Sequence, residues 1–504
     1  MPATAERCQC LIGGKWTDVA ASRYADVWNP SSGETIAHAP MCSAADVDRA
    51  VQAALKVFPS WRETPIVDRA RIMFRFHALL MKHADEIARI VSREHGKTFN
   101  ESRASVQRGT EMVEYACSLP ALIYGDVMHN IAPGVDSETI RYPLGVVAGI
   151  TPFNFPAMVP LWMYPIAITC GNCFILKPSP RVPLSSIRIA ELLVEAGVPE
   201  GVFSMVHGDK ECVDAILTHP DIRAVSFVGS TPVAKYIYQT GTANGKRVQA
   251  AGGAKNHIIV MPDAEMTPAV TGLLHSAFGC SGERCMAGSL AVAVGDRGDE
   301  VVDRLCDAAN RIVVGRTDTR DDVTMGPVIS RQHAENIQKH IDTAEKEGAR
   351  IAVDGRGAAP SDAAGGFFVG PTVVDGVTPD MRIGREEVFG PVLSVARVKT
   401  LEDAIDLGNA CPFGNGAVIF TQSGRAAREF KHRFNAGMIG INVGVPAPMA
   451  WFPFTGWNQS FFGDLHIQGK EGMQFYTQQR MVMTRWFEPE QVDKHDPVWR
   501  PGHK

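Results

Sequence analysis

Apolar positions along the chain switch between two periods, and the switching places its elements. From Ala44 to Ala116 they recur at helical spacing, a long helical region ahead of the first strong strand signal. Short apolar runs follow at Gly145 to Thr151, Phe174 to Lys177, Val202 to Val206, Ala224 to Val228 and His257 to Met261, with helical patterns between them. In Pro183 to Gly197, for example, Ile187, Ile189, Leu192, Leu193 and Ala196 share a helical face, and Gly197 stands where a C-terminal stop belongs. Such alternation predicts an α/β fold with a doubly wound sheet.

A second α/β unit begins near Gly253, with strands predicted at Leu290 to Val294, Phe368 to Val374, Val392 to Val398, Ala417 to Thr421 and Met438 to Val443, and helices at Arg331 to Gly348 and Leu401 to Asn409. Between Tyr124 and Arg141, and again after Gly472 in Met473-Gln-Phe-Tyr-Thr-Gln and Met481-Val-Met-Thr-Arg-Trp, the pattern turns irregular or strand-like, and two such segments can pair as an arm. The expected division is 1–123 with 145–252 for a first unit, 253–470 for a second, 124–144 with 471–490 for the arm, and 491–504 for a polar tail.

Composition narrows the function classes. At 504 residues and 45% hydrophobic content the chain can bury a core of enzyme size. Lys and Arg number 50 against 55 Asp and Glu without long runs, so neither nucleic acid nor an anionic membrane is an expected partner. Eleven scattered cysteines read as reduced thiols. With no apolar leader from Met1 to Cys10 and no long apolar span, the expected location is the cytoplasm. Cys170 and Cys173 form the single CxxC, without the further ligands zinc needs, so no metal is expected.

Four stretches carry candidate chemistry. In Ala277-Phe-Gly-Cys-Ser-Gly-Glu-Arg-Cys-Met-Ala287, Cys285 stands beside Arg284, a setting that favours a nucleophilic thiolate if the guanidinium is close; the alternative is a structural thiol. Thr151-Pro-Phe-Asn-Phe-Pro156 follows a strand, and its prolines make a rigid turn in which Asn154 either caps the turn or offers an amide to an oxyanion. In the stretch from Ala224 to Lys235 a strand ends at Gly229, with Thr231 suited to be the N-cap and Pro232 the first helical residue, a weak dinucleotide signal without the full glycine fingerprint. Phe174-Ile-Leu-Lys-Pro-Ser179 ends a strand on Lys177, placed for a ribose or phosphate or simply as a solvated cap.

Taken together with Asn29-Pro, Gly252-Gly, Glu386-Glu-Val-Phe-Gly-Pro-Val392 and Pro453-Phe-Thr-Gly456, these motifs resemble the aldehyde dehydrogenase superfamily over roughly Asn29 to Trp486. The resemblance implies a Rossmann-type doubly wound cofactor domain, an α/β catalytic domain and a small β oligomerisation arm in a homo-oligomer, a dimer of dimers. It implies Cys285 as nucleophile and Asn154 as oxyanion donor. It implies NAD held by Phe153, Lys177, Ser179, Pro180, Gly229, Ser230, Glu387 and Phe389.

Hydrolytic members carry a Glu-Leu-Gly-Gly-Lys motif whose carboxylate activates water; here the chain reads Gln249-Ala-Ala-Gly-Gly-Ala-Lys-Asn256. Without a base, a thiol is a better acyl acceptor than water, which points to coenzyme A as co-substrate. Glu283 as a substitute base is less favoured than a structural role for it. Ala254-Lys-Asn-His257, Ser226 to Tyr236, Asn442 to Met449 and Ser460 to His466 further resemble the CoA-acylating methylmalonate-semialdehyde dehydrogenases. That branch implies a carboxylate-bearing semialdehyde held by Arg108 and Arg284 and decarboxylated to acetyl-CoA or propionyl-CoA. The plainer reading of Arg108 is a helical ion pair with Glu111 or Glu101, and of Arg284 a role in lowering the Cys285 pKa. Two departures stand out: Pro180, where the family has an acid for the adenine ribose, suggesting relaxed use of NADP, and Ala234, where a second glycine often follows the turn. The rival functions are a hydrolytic semialdehyde dehydrogenase releasing a free acid and a catalytically silent binding homologue.

Overall fold

The structure, a computed structural model, describes residues 5–487; the tail assigned to 491–504 lies outside the described residues. Five parallel strands form the centre of an eight-stranded sheet, in the spatial order Arg247–Ala251, Ile222–Val228, Val146–Ile150, Cys173–Lys177 and Phe203–Met205. Val146–Ile150 comes first in the chain yet lies in the middle. The next two strands are added on one side and the last two on the other, so the order reverses between Val146–Ile150 and Ile222–Val228. The loops leaving these two strands diverge there and open the crevice that doubly wound folds use for ligands.

The central strands are buried almost throughout and mostly apolar, as parallel strands covered on both faces are. Four helices, Ala44–Glu63, Ile66–Lys82, Ala84–His95 and Phe99–Cys117, account for the long helical region. The helix Leu184–Glu195 ends as expected, with Gly197 at φ 91°. One further helix has no polar face: all of Met158–Thr169 is buried. An element apolar on every side must lie inside the protein, and this one begins just after the Asn154 turn, fixing that turn to the core.

The second sheet has seven strands, in the order Arg350–Val353, Thr372–Asp375, Val392–Val398, Gly288–Val294, Asn256–Val260, Gly416–Phe420 and Met438–Ile441, all parallel except the first. A third, antiparallel sheet joins Val127–Ala132, Val135–Pro143 and Thr477–Arg485, the last two in register from Thr477 opposite Pro143 to Arg485 opposite Val135.

Several expectations shift. The strand expected from Phe368 begins only at Thr372, and Met473-Gln474-Phe475 lies in the helix Gly469–Phe475 rather than in a strand. Four strands between Cys10 and Pro40 went unseen, because strands of three to seven residues carry too little periodicity to register. Phe461–Phe462 returns to pair antiparallel with Arg247–Ala251, a contact that only the tertiary path creates. No helix among the described residues is long and apolar enough to cross a membrane.

Candidate active site

The segment that presents Cys285 is bent into a conformation that L-residues rarely adopt. Cys280 and Ser281 have φ of 52° and 54°, and Gly282 has 71°. Left-handed backbone costs roughly 1–2 kcal/mol at each non-glycine residue, so other contacts must hold it. The Cys280 N–H donates to Glu101 Oε1 at 2.6 Å, and the Ser281 hydroxyl donates to the Gly326 carbonyl at 2.8 Å. A Cβ on Gly282 would lie 2.1 Å from the Gly390 carbonyl oxygen, so the close approach there requires glycine. Beyond this turn the Cys285 carbonyl accepts from the Asn256 amide at 2.9 Å and the Asn415 amide at 2.8 Å. Neither asparagine was singled out from the sequence, since a lone Asn beside a strand carries no signal of its distant partner.

Cys285 is half-buried and lines a cavity of about 480 Å³ with Arg108, Arg284, Phe155, Trp162 and Phe454. The Arg284 guanidinium makes its hydrogen bonds and its ion pair with groups other than the Cys285 thiol. Its Nε donates to the Cys280 sulfur at 3.1 Å, Nη1 donates to the His275 carbonyl at 3.2 Å, and Nη2 lies 3.6 Å from Glu101. The guanidinium packs against Gly279, toward the residue one helical turn before it rather than toward its sequence neighbour. Burial, followed by the Glu387 carboxylate, pushes the Cys285 thiol up to about 12. The Cys285 and Met286 backbone N–H groups and the Lys97 ammonium oppose this rise.

Asn154 lies at the end of Val146–Ile150 and is buried. Its amide donates to the Glu283 carbonyl at 3.0 Å, and its own carbonyl accepts from the buried Lys97 ammonium, which also sits 3.6 Å from the centre of the Phe155 ring. The second N–H of the amide has no partner among the described residues. The bonded N–H ties Asn154 to the chain two residues before Cys285.

The crevice at the strand reversal holds the other expected residues. The helix Thr231–Ala243 starts one residue earlier than predicted: Ser230 is the N-cap, its side chain makes no capping bond, and it is exposed. Thr231 instead accepts from the Gly253 N–H at 2.8 Å. A Cβ on Gly229 would meet the Phe227 ring at 2.4 Å. Lys177, buried at the end of its strand, donates to the Pro178 and Gly208 carbonyls, both at 3.0 Å. Ser179 accepts from the Arg181 N–H at 3.4 Å, and Pro180 lines a separate cavity of about 420 Å³ with Arg23, Arg181 and Asp209. Phe153 and Phe389 meet edge to face with centroids 5.8 Å apart, and Phe389 itself is left-handed at φ 55°. Free backbone N–H groups at a helix start, a glycine turn and a lysine at a strand end together fit a dinucleotide.

No carboxylate stands at residues 249–256. Glu387 reaches that turn from the other side, its Oε1 accepting from the Ala254 N–H at 3.0 Å, and burial raises its pKa to about 7. Glu283 is fully buried and turned from the cavity, its Oε1 accepting from the Ile329 N–H at 3.1 Å. Glu101 is engaged by Cys280 and Arg284. At the outer wall Arg108 is half exposed and paired with Glu111 at 2.8 Å, so both guanidinium groups line the cavity, each with an acidic partner.

A doubly wound crevice opening toward a thiol in a ligand-sized cavity defines an oxidoreductase of the α/β class. Residues 16–482 match the aldehyde dehydrogenase family, and the chain belongs to it. It is 51% identical over 476 residues to malonate-semialdehyde dehydrogenase 2 of Geobacillus kaustophilus, covering 94% of this chain and 98% of that one. Over 484 residues it is 49% identical to the malonate-semialdehyde dehydrogenase of Halalkalibacterium halodurans, covering 96% and 99% of the two chains. Among solved structures it resembles methylmalonate-semialdehyde dehydrogenase from Oceanimonas doudoroffii, with TM-score 0.95, 52% identity and coverage of 96% and 99%. A putative methylmalonate-semialdehyde dehydrogenase from Sinorhizobium meliloti complexed with NAD is similar at TM-score 0.95, 43% identity and the same coverage. The chain is thus an aldehyde-oxidising enzyme of this family, with the predicted α/β fold.

Proposed function

We propose that the enzyme oxidises malonate or methylmalonate semialdehyde with NAD, through a thioester on Cys285, and delivers the decarboxylated acyl group to coenzyme A. The observation that carries the acyl acceptor is the carboxylate inventory around the thiol. Residues 249–256 offer none, Glu283 faces away, Glu101 is tied to Arg284 and Cys280, and Glu387 is tied to the Ala254 N–H. Water needs a positioned base, whereas a thiol ionises on its own to a useful extent. The Cys285 sulfur adds to the aldehyde carbon, and the oxyanion rests on the Asn154 amide and the Cys285 N–H. NAD, when bound, accepts the hydride. The residues that hold it are Phe153, Lys177, Ser179, Pro180, Gly229, Ser230, Glu387 and Phe389. With the substrate carboxylate between Arg108 and Arg284, the thioester lies β to it and serves as the electron sink when carbon dioxide leaves; the carbanion takes a proton, and CoA sulfur displaces Cys285.

The remaining parts have roles in the same reading. Residues 1–123 with 145–252 form the cofactor domain and 253–470 the catalytic domain. Segments 124–144 and 471–490 form an arm through which copies assemble, its exposed Val127, Met128, Met481 and Met483 being the apolar surface a second copy covers. Eleven free thiols suit a reducing cytoplasm. The test is NADH formation with each semialdehyde in the presence and absence of CoA, with the acyl product identified. Steady formation of free acid without CoA returns the enzyme to the hydrolytic branch.

A further inference from the structure

Behind the Phe153-Asn154 turn, on the side away from the cavity, lie three buried ionisable groups from two motifs that the reaction does not use directly. His95 ends the helix Ala84–His95, Lys97 follows in its link to the helix Phe99–Cys117, and Glu283 lies two residues before the nucleophile. All three are at most 1% exposed. His95 stacks on Phe153, with centroids 6.1 Å apart and planes 21° from parallel. Lys97 holds the Asn154 carbonyl, and the Glu283 carbonyl accepts from the Asn154 amide. The turn is thus gripped at the Phe153 ring, at the Asn154 backbone carbonyl and at one N–H of the Asn154 side-chain amide.

Three atoms in this cluster are unpartnered: both ring nitrogens of His95 and the Glu283 Oε2 make no hydrogen bond, yet His95 Nε2 and Glu283 Oε2 face each other at 3.8 Å. Orphaned buried polar atoms are rare because each forfeits its bonds to water. Here each supplies what the other lacks, and a movement of under an ångström closes the bond. We propose that Glu283 is a positioning residue, not the base: as a neutral acid it donates to His95, and this closed pair locks the turn so that the free N–H of Asn154 points at the oxyanion on Cys285. The groups facing Glu283 are consistent. Burial raises its pKa to about 8, with Lys97 and Arg181 opposing; His95 is held neutral by burial, and His333, 3.5 Å from Oε1, spends its Nε2 on the Phe389 carbonyl. The inference rests on the reading of Asn154 as oxyanion donor.

The experiment is single-turnover NADH formation at saturating NAD and semialdehyde for Glu283→Leu, Asn154→Ala and the double variant. Glu283→Leu is expected to slow acylation at least tenfold with the dissociation constant for NAD unchanged, and the double variant to be no slower than Asn154→Ala, since both act through one amide. Multiplicative losses, or a Glu283→Leu rate equal to wild type while Asn154→Ala is impaired, overturn the role of Glu283. An unimpaired Asn154→Ala overturns the oxyanion reading itself. Glu283→Gln, whose amide still donates to His95, is expected to recover most of the rate and guards against a Leu variant that does not fold. Because Gln cannot lose its proton, its rate relative to wild type is expected to climb as pH rises through about 8; a ratio flat from pH 6 to 9 overturns the proton-dependent lock.

Discussion

The two ends of the cavity at Cys285 are built by opposite means. At the inner end the groups are buried and anchored to backbone: the Cys285 carbonyl between two asparagine amides, and Asn154 between the Glu283 carbonyl and Lys97. At the outer end the groups are long side chains, Arg108 half exposed on Glu111 and Arg284 leaning on Glu101. Backbone anchors leave little freedom, whereas the half-exposed Arg108–Glu111 pair is worth at most about 1 kcal/mol and is readily exchanged for a substrate carboxylate. On the proposed reading, the inner end sets the chemistry for any aldehyde and the outer end selects among aldehydes.

The comparison breaks most sharply at the sulfur. Cys285→Ala or Cys285→Ser is expected to abolish dehydrogenase turnover while NAD binding and thermal unfolding stay near wild type; turnover by either variant removes the covalent step. Next in size is the omission of CoA, which should leave a burst of about one NADH per active site followed by a near stall, because no carboxylate is free to activate water; stopped-flow absorbance at the NADH band reads both phases. Loss of one oxyanion donor typically costs about 10²–10³ in rate, so Asn154→Ala should lower kcat by that order with little change in NAD affinity. An equal fall in affinity would make Asn154 a binding residue.

The outer end should respond more mildly and selectively. Arg108→Ala removes charge-assisted bonds worth roughly 1.5–3 kcal/mol, so kcat/KM for malonate-type semialdehydes relative to propanal should fall on the order of tenfold or more. Equal losses on both aldehydes would move Arg108 from selection to structure. The smallest expected effect concerns the cofactor: with Pro180 in place of an acid, NADP should be used measurably but less well than NAD, and specificity constants for the two dinucleotides decide it.

The two ends also differed in how far they could be read from the residues alone. The inner motifs announced themselves because strand-end turns, prolines and a glycine-flanked cysteine are local signals, and the alternation of periods was enough to predict a doubly wound fold. Adjacency in the chain could not tell where the Arg284 guanidinium lies: the left-handed turn at Cys280 and Ser281 lets it fold back onto Gly279 and Cys280.

What the sequence determined by itself was most of the elements of the two large sheets and the candidates for the reacting groups, since both depend on short-range periodicity and on side-chain chemistry. Only the tertiary structure decided their partners. Asn256 and Asn415 meet one carbonyl from positions 29 and 130 residues away from Cys285, and His95 meets Glu283 from another helix. It also decided protonation: burial lifts Cys285 to about 12, Glu283 to about 8 and Glu387 to about 7. Desolvation depends on what the rest of the chain packs around a group, and no local stretch of sequence contains that information.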